Sequence, residues 1–296
     1  MLRRLSALTS QLQPQATQQT TRTMSMNADV LKTGPKELEN PGVVLLLAQT
    51  PNAGKVTYLT EELKALGKLD SYTVIPISFA KNEQKSAWFE QLNANGRMPA
   101  LLDNRPTKGP IRVFESVSIL LYLAKTYDTD GAFWFKDDDD LQTELVSWCA
   151  FTHGGVGPMQ GQCNFFYRYS PEKIPLAIKR YQDETKRLYG VLEAHLAGKH
   201  DGQEKEWLVG GKYSIADMNA QPWVRMAVWA GVELDEFPRL SAWVDRIEQR
   251  PATQEALKIP EQDKLSQMKA DPEAADRMAK AASKWIMQGQ DKKEDK

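Results

Sequence analysis

The chain is poor in the residues that build disulfide and metal sites. It holds two cysteines, Cys149 and Cys163, and three histidines, His153, His195 and His200, in 296 residues. Two cysteines do not make a disulfide framework, so an intracellular protein held by its core is expected. The histidines show no metal-ligand spacing, and no cofactor is expected. Neither sign of charge is in excess: 38 Lys+Arg against 39 Asp+Glu leave a formal net charge of −1, which points away from nucleic acid and from anionic membrane surfaces. No apolar run reaches the roughly 18 residues that span a bilayer. What is present is 41% hydrophobic residues, enough for two modest domains with cores.

The two ends differ from the middle. Residues 1–28 carry Arg3, Arg4 and Arg22, many Ser, Thr and Gln, and no acid. Leu2, Leu5, Leu8 and Leu12 can share one helix face, as in a mitochondrial presequence. The alternative is an unstructured leader with Met24 or Met26 as the working start, and a cytoplasmic protein. Residues 259–296 are charged and read as a surface extension with a frayed tail.

Between them lie two halves. Residues 42–48, "GVVLLLA", read as a buried strand, 54–66 as a helix with Val56, Leu59, Leu63 and Leu66 at helical spacing, and 71–78 as a second, parallel strand. A short helix over 83–92, strands over 98–103 and 111–114 joined by "NRPTKGP", and a helix over 115–127 complete βαβαββα, a compact α+β unit. After a linker at 131–140 the strand pattern stops. Helices are expected at 139–165, 172–198, 214–231 and 239–249, so residues 141–258 read as an all-α domain. The aspartates 137–140 suit a helix start.

The turn "AQTPNAGKV" invites comparison with a phosphate loop, and it fails. G-x-x-x-x-G-K-[ST] ending at Gly54-Lys55 would need Gly where Gln49 stands and Ser or Thr where Val56 stands. What is left is Thr50 and Asn52 before a helix N-terminus, which can stabilise an anion such as a thiolate, or at which Asn52 simply caps the helix. Lys55 is then a solvated residue. In "GRMPALLD", Pro99 heads a strand. A cis Met98–Pro99 bond would turn the Met98 backbone outward to pair with a peptide-like ligand. In "FESVSILLYL", Glu115 and Ser116 either cap a helix or grip the ammonium and carboxylate of an amino acid. "YSIADM" is a capping-box variant, with Ser214 and Asp217 reciprocal and Tyr213 and Met218 as a staple.

In their order, "TPNAGKV", "GRMPALLD" and "FESVSILLYLA" resemble the glutathione transferases, and within them the Nu-class and fungal prion-regulator-like branch, which includes glutathione-dependent disulfide reductases. "GGVGPMQGQCNFFYRYSPEKIPLAIKRYQDETKRLYGVLEAHL" and the stretch from "WLVGGKYSIADM" to "VDRI" are similar to the same branch. The resemblance covers about residues 42–258. It implies a thioredoxin-like N-terminal domain over 42–130, a helical C-terminal domain and a homodimer.

The resemblance also implies roles. The cysteine of bound glutathione, a co-substrate, is the nucleophile, and Thr50 and Asn52 face its thiol. Met98 pairs with the cysteinyl backbone, Glu115 and Ser116 hold the γ-glutamyl end, Gln84 contacts the glycyl carboxylate, and Arg97 lies beside the site. Tyr167 and Arg168, in "CNFFYRY", are candidates for a co-substrate pocket, against a reading in which Phe165 and Phe166 only pack helices. Three functions follow: conjugation to an electrophile, reduction of disulfides, or non-catalytic regulation on the same fold. Cys149 reads as a core residue and Cys163 as an exposed or cleft bystander. The branch has Gly where Ala53 stands, which raises the question of whether the turn needs a glycine.

Overall fold

A computed structural model of the chain describes residues 26–291. The leader read over residues 1–28 lies almost wholly outside them. A single helical turn, α1 (Ala28–Leu31), precedes β1 (Gly42–Leu47), α2 (Pro51–Ala65), β2 (Thr73–Pro76), α3 (Ala87–Leu92), β3 (Ala100–Arg105), β4 (Gly109–Phe114) and α4 (Ser116–Tyr127). The sheet order is β2-β1-β3-β4. β2 runs parallel to β1 with Leu45 opposite Val74, and β3 runs antiparallel with Leu45 opposite Leu101. This is the expected thioredoxin-like βαβαββα unit.

Strand β1 has both faces covered, which is why its sequence is a continuous apolar run. Val43, Leu45 and Leu47 pack with Val56, Leu59 and Leu63 of α2 and with Ile119 and Leu123 of α4. Val44 and Leu46 pack on the other face with Trp88, Phe89 and Leu92.

The second half is helical: α5 (Asp139–Phe151), α6 (Gly157–Asn164), α7 (Pro175–Leu196), α8 (Ile215–Val224), α9 (Pro238–Glu248) and α10 (Pro251–Ala256). The long helix expected over 139–165 is interrupted by a π-helical turn at Thr152–Val156, and a second such turn, Phe165–Tyr169, follows α6. The helix expected over 214–231 ends at Val224, two residues after Pro222, which supplies no helical N–H. The last segments, α11 (Leu265–Ala270) and α12 (Pro272–Asp291), are docked: Ala275 and Ala279 are buried against Trp229. Among the described residues no helix is long and apolar enough to cross a membrane.

Two caps form as read. The Asp138 carboxylate accepts from Leu141 N–H at 2.9 Å at the start of α5. At α8 the Asp217 carboxylate accepts from Ser214 N–H (3.0 Å), Ser214 Oγ (3.1 Å), Leu208 N–H (3.0 Å) and Trp243 Nε1 (2.9 Å). The capping box therefore ties together two loops and α9. Burial pushes the Asp217 carboxyl up to about 6 although these donors pull the other way.

Helix α2 is not the half-exposed helix its periodicity suggests. Every residue from Lys55 to Leu63 is buried, while Leu66 is exposed. Its polar face meets the helical half: Tyr58 OH donates to Gln221 Oε1 at 3.0 Å, and Arg250 pairs with Glu62 at 2.5 and 3.1 Å. Lys55 is thus no solvated residue. It is buried, and Nζ is 3.5 Å from Ser116 Oγ at the start of α4.

Candidate functional site

The N-terminus of α2 is built by Thr50 and Pro51. Thr50 is the N-cap, with its hydroxyl accepting from Ala53 N–H at 3.3 Å, and Pro51 occupies the first helical position, where no N–H is needed. Asn52 is therefore free of the capping duty it was also read for. Ala53 is the third helical residue and is not among the positive-φ positions, so the turn makes no demand for glycine there.

Asn52 is oriented from the other domain. Trp223 Nε1, at the end of α8, donates to Asn52 Oδ1 at 3.0 Å. An indole N–H is only a donor, so Oδ1 faces Trp223 and the Nδ2 amide is left without a partner among the described residues.

A small cavity of about 90 Å³ opens beside this amide, lined by Asn52, Asn93, Asn95, Arg97, Met98, Pro99, Glu115 and Ser116. The Met98–Pro99 bond is cis, and the sheet register begins only at Ala100, so the Met98 backbone stays outside the ladder. Asn93 shapes the loop before it: its Nδ2 donates to Arg97 O at 2.6 Å, and its Oδ1 accepts from Asn95 N–H at 2.9 Å.

The far wall is the start of α4. Glu115 sits there at φ +69°, ψ 122°, and makes no side-chain cap. A non-glycine residue at positive φ costs on the order of 1–3 kcal/mol, and such residues gather at functional sites. The Glu115 carboxylate is half-exposed and 3.3 Å from His153 Nε2. Behind Ser116 lies the Lys55 ammonium. Burial pulls it down to about 7, against the pull of Cys149 and Glu115 nearby.

Five of the residues read from the sequence are therefore brought together: Asn52, Arg97, Met98, Glu115 and Ser116. Thr50 stands behind them as the cap. Three others do not line this cavity. Gln84 does not line the cavity; its Nε2 donates to Asn82 Oδ1 at 2.9 Å, and its Oε1 is buried without a hydrogen-bond partner among the described residues. Tyr167 and Arg168 line a separate, larger cavity of about 570 Å³ against α12. Arg168 is held there by Trp229 O (3.1 Å), Val228 O (3.3 Å) and Asp276 (3.0 Å), so it braces the C-terminal helix.

Asn93, Asn95, Trp223 and the buried state of Lys55 enter with the structure. "NANGR" stands directly before Met98 and was within reach. Trp223 is 171 residues from Asn52, and nothing local marks it. Cys163 is fully buried, with Sγ 3.2 Å from Ala230 O, rather than exposed or in a cleft. Burial pushes the Cys149 thiol up to about 12 and the Cys163 thiol up to about 11, so neither is a thiolate at neutral pH.

A thioredoxin-like domain with a cavity at the N-termini of α2 and α4, followed by an all-α domain packed on α2, defines the class. The glutathione S-transferase N-terminal domain matches residues 51–125 and the C-terminal domain matches residues 165–251, and the chain belongs to the glutathione S-transferase family. It is 38% identical over 215 residues to the disulfide-bond oxidoreductase YfcG of Escherichia coli (strain K12), covering 72% of this chain and 93% of that one. It is 35% identical over 216 residues to glutathione S-transferase 2 of Schizosaccharomyces pombe, covering 68% and 88%. The crystal structure of a glutathione transferase homologue from Lodderomyces elongisporus, with two GSH per subunit, superposes with a TM-score of 0.67 at 32% identity, covering 75% of this chain and 99% of that one.

Proposed function

We propose that the protein is a glutathione transferase that binds glutathione in the cavity between α2, the 93–99 loop and α4, and activates its thiol there. The observation that carries this is the convergence of Asn52, Arg97, Met98, Glu115 and Ser116 on one small cavity beside a helix N-terminus. An ammonium suits the Glu115 carboxylate, and a carboxylate suits the Ser116 hydroxyl and the N-terminus of α4. The Met98 backbone pairs with the cysteinyl backbone. The sulfur then lies near Asn52 Nδ2 and the N-terminus of α2.

A thiol with an ordinary pKa of about 8.5 brought down by two units requires about 2.7 kcal/mol of differential stabilisation. One amide N–H to a charged sulfur, at about 1.5–3 kcal/mol, and a helix end at about 0.3–1 kcal/mol supply it. The thiol proton goes to solvent. The thiolate attacks an electrophilic carbon, a C–S bond forms, and the leaving group departs with its electron pair. The buried Cys149 and Cys163 take no part.

A second reading is favoured by the likeness to a disulfide-bond oxidoreductase. The same thiolate attacks a disulfide, one thiolate leaves, and a second glutathione resolves the mixed disulfide to glutathione disulfide and a second thiol. A homodimer is proposed on the family likeness and is read by light scattering. Retention on immobilised glutathione, followed by turnover of a chloro-nitrobenzene and of a small disulfide, tests both enzyme readings. Loss of turnover in the Thr50→Ala, Asn52→Ala double variant is expected. No retention and no turnover in the wild type leaves only a non-catalytic role, and normal turnover in the double variant removes the site assignment.

A further inference from the structure

We infer that Trp223, a residue of the helical domain, is a positioning residue for thiol activation: its indole N–H fixes Asn52 so that the amide nitrogen, and not the amide oxygen, faces the sulfur. The inference rests on the proposed glutathione site. The alternative orientation of Asn52 would turn a carbonyl oxygen toward the thiol. That oxygen would repel a thiolate and stabilise the protonated S–H, raising the thiol pKa instead of lowering it. The two orientations have the same shape, so sterics inside the cavity cannot choose between them. The 3.0 Å bond from Trp223 Nε1 to Oδ1 does, because an indole N–H has no acceptor role.

The indole is itself held in place. A Cβ on Gly157 of α6 would come within 3.1 Å of Trp223 Nε1 and 3.2 Å of its ring, and one on Gly161 within 3.7 Å. The ring packs against this glycine face. Gln160 Nε2 donates to Trp223 O at 2.8 Å, and the neighbouring Pro222 meets Gly54 of α2, where a Cβ would stand 3.4 Å away. The bond therefore joins two rigid elements across the domain boundary. The helical domain then contributes to activation without touching the glutathione.

The test is a double-mutant cycle read as the titration of bound glutathione thiolate by its ultraviolet absorbance. Trp223→Phe keeps a ring on the glycine face and removes the donor. The apparent thiol pKa is expected to rise by about one unit, which from a value of about 6.5 cuts the thiolate fraction at pH 7 about threefold. Affinity for S-methylglutathione, which has no thiol to ionise, should stay within about twofold, since Met98, Glu115 and Ser116 are intact. Asn52→Ala should raise the thiol pKa as well, and adding Trp223→Phe to it should change nothing more. Gly157→Ala, which leaves the tryptophan but crowds its indole nitrogen, should produce a smaller rise and serves if Trp223→Phe unfolds. An unmoved thiol pKa in Trp223→Phe or Gly157→Ala, with a raised one in Asn52→Ala, overturns the role of Trp223 alone. Full additivity in the double variant overturns it too. An unmoved pKa in Asn52→Ala overturns the assignment of Asn52 and this inference with it.

Discussion

Helices α4 and α8 both open with a serine and a nearby acid, and they use them in opposite ways. At α8, Ser214 and Asp217 satisfy each other, and the carboxylate also holds Leu208 and Trp243; both residues are completely buried. At α4, Glu115 makes no side-chain cap, its backbone is held at positive φ, and among the described residues the Ser116 hydroxyl has only a 3.5 Å contact from Lys55. A closed cap holds two loops and a helix together. An open cap beside a cavity leaves hydrogen-bonding capacity for something that arrives later.

The sharpest way to break the comparison is at the closed cap. Asp217→Ala leaves the Leu208 and Ser214 N–H groups and the Trp243 indole buried without an acceptor, and should destabilise by about 3–5 kcal/mol, well beyond an exposed cap. A thermal melt within two degrees of wild type would contradict this. Lys55→Met acts in the other direction. The folded-state value of about 7 lies below the ordinary 10.5, so the unfolded chain binds more protons between these pH values. Stability therefore rises with pH across that window, is fully present above 10.5, and is lost as pH falls through 7. Replacing the buried amine should stabilise the protein at neutral pH by about 1–4 kcal/mol and flatten the slope between pH 7 and 10 in denaturant titrations. An unchanged slope would mean that Lys55 is solvated in the folded state.

The open cap predicts a split between binding and stability. Glu115→Gln should raise the KM for glutathione about tenfold or more, near 1.4 kcal/mol, with little change in melting. Glu115→Gly should lose binding as well but gain about 1 kcal/mol of stability, because glycine adopts positive φ without strain. A loss of stability in Glu115→Gly would show that the side chain supports the fold, and the contrast with α8 would fail.

Much of this was legible locally. The all-buried strand, the Pro-headed β3, the α8 capping box and the acids at α5 are short-range patterns, and each forms within a residue or two of where the sequence places it. Asn52, Arg97, Met98, Glu115 and Ser116 meet at one cavity, and they belong to three compact motifs. What failed was long-range. Lys55 looks solvated on a helical wheel because the wheel does not know that α8 and α10 cover the polar face of α2. The Trp223–Asn52 bond depends on the same inter-domain packing, and Cys163 is buried by packing within the helical domain, against Ala230. Gln84, to which the resemblance gives a contact with the glycyl carboxylate, sits in the 3-10 turn Glu83–Lys85 and does not line the cavity.

The smallest expected effect concerns the other cavity. Arg168 was a candidate for co-substrate binding, yet all of its polar contacts brace the 227–230 turn and α12. Its guanidinium also lies 5.0 Å from the Trp229 ring centre, on which Ala275 and Ala279 pack. Arg168→Ala should therefore loosen α12, seen as faster amide exchange along residues 272–291, and lower stability by about 1–2 kcal/mol. The KM for glutathione should not move, because the cavity at α2 and α4 shares no lining residue with this one. A raised glutathione KM in Arg168→Ala, with α12 exchange unchanged, would mean that the two cavities act as one site and that the open cap at α4 is not the whole of it.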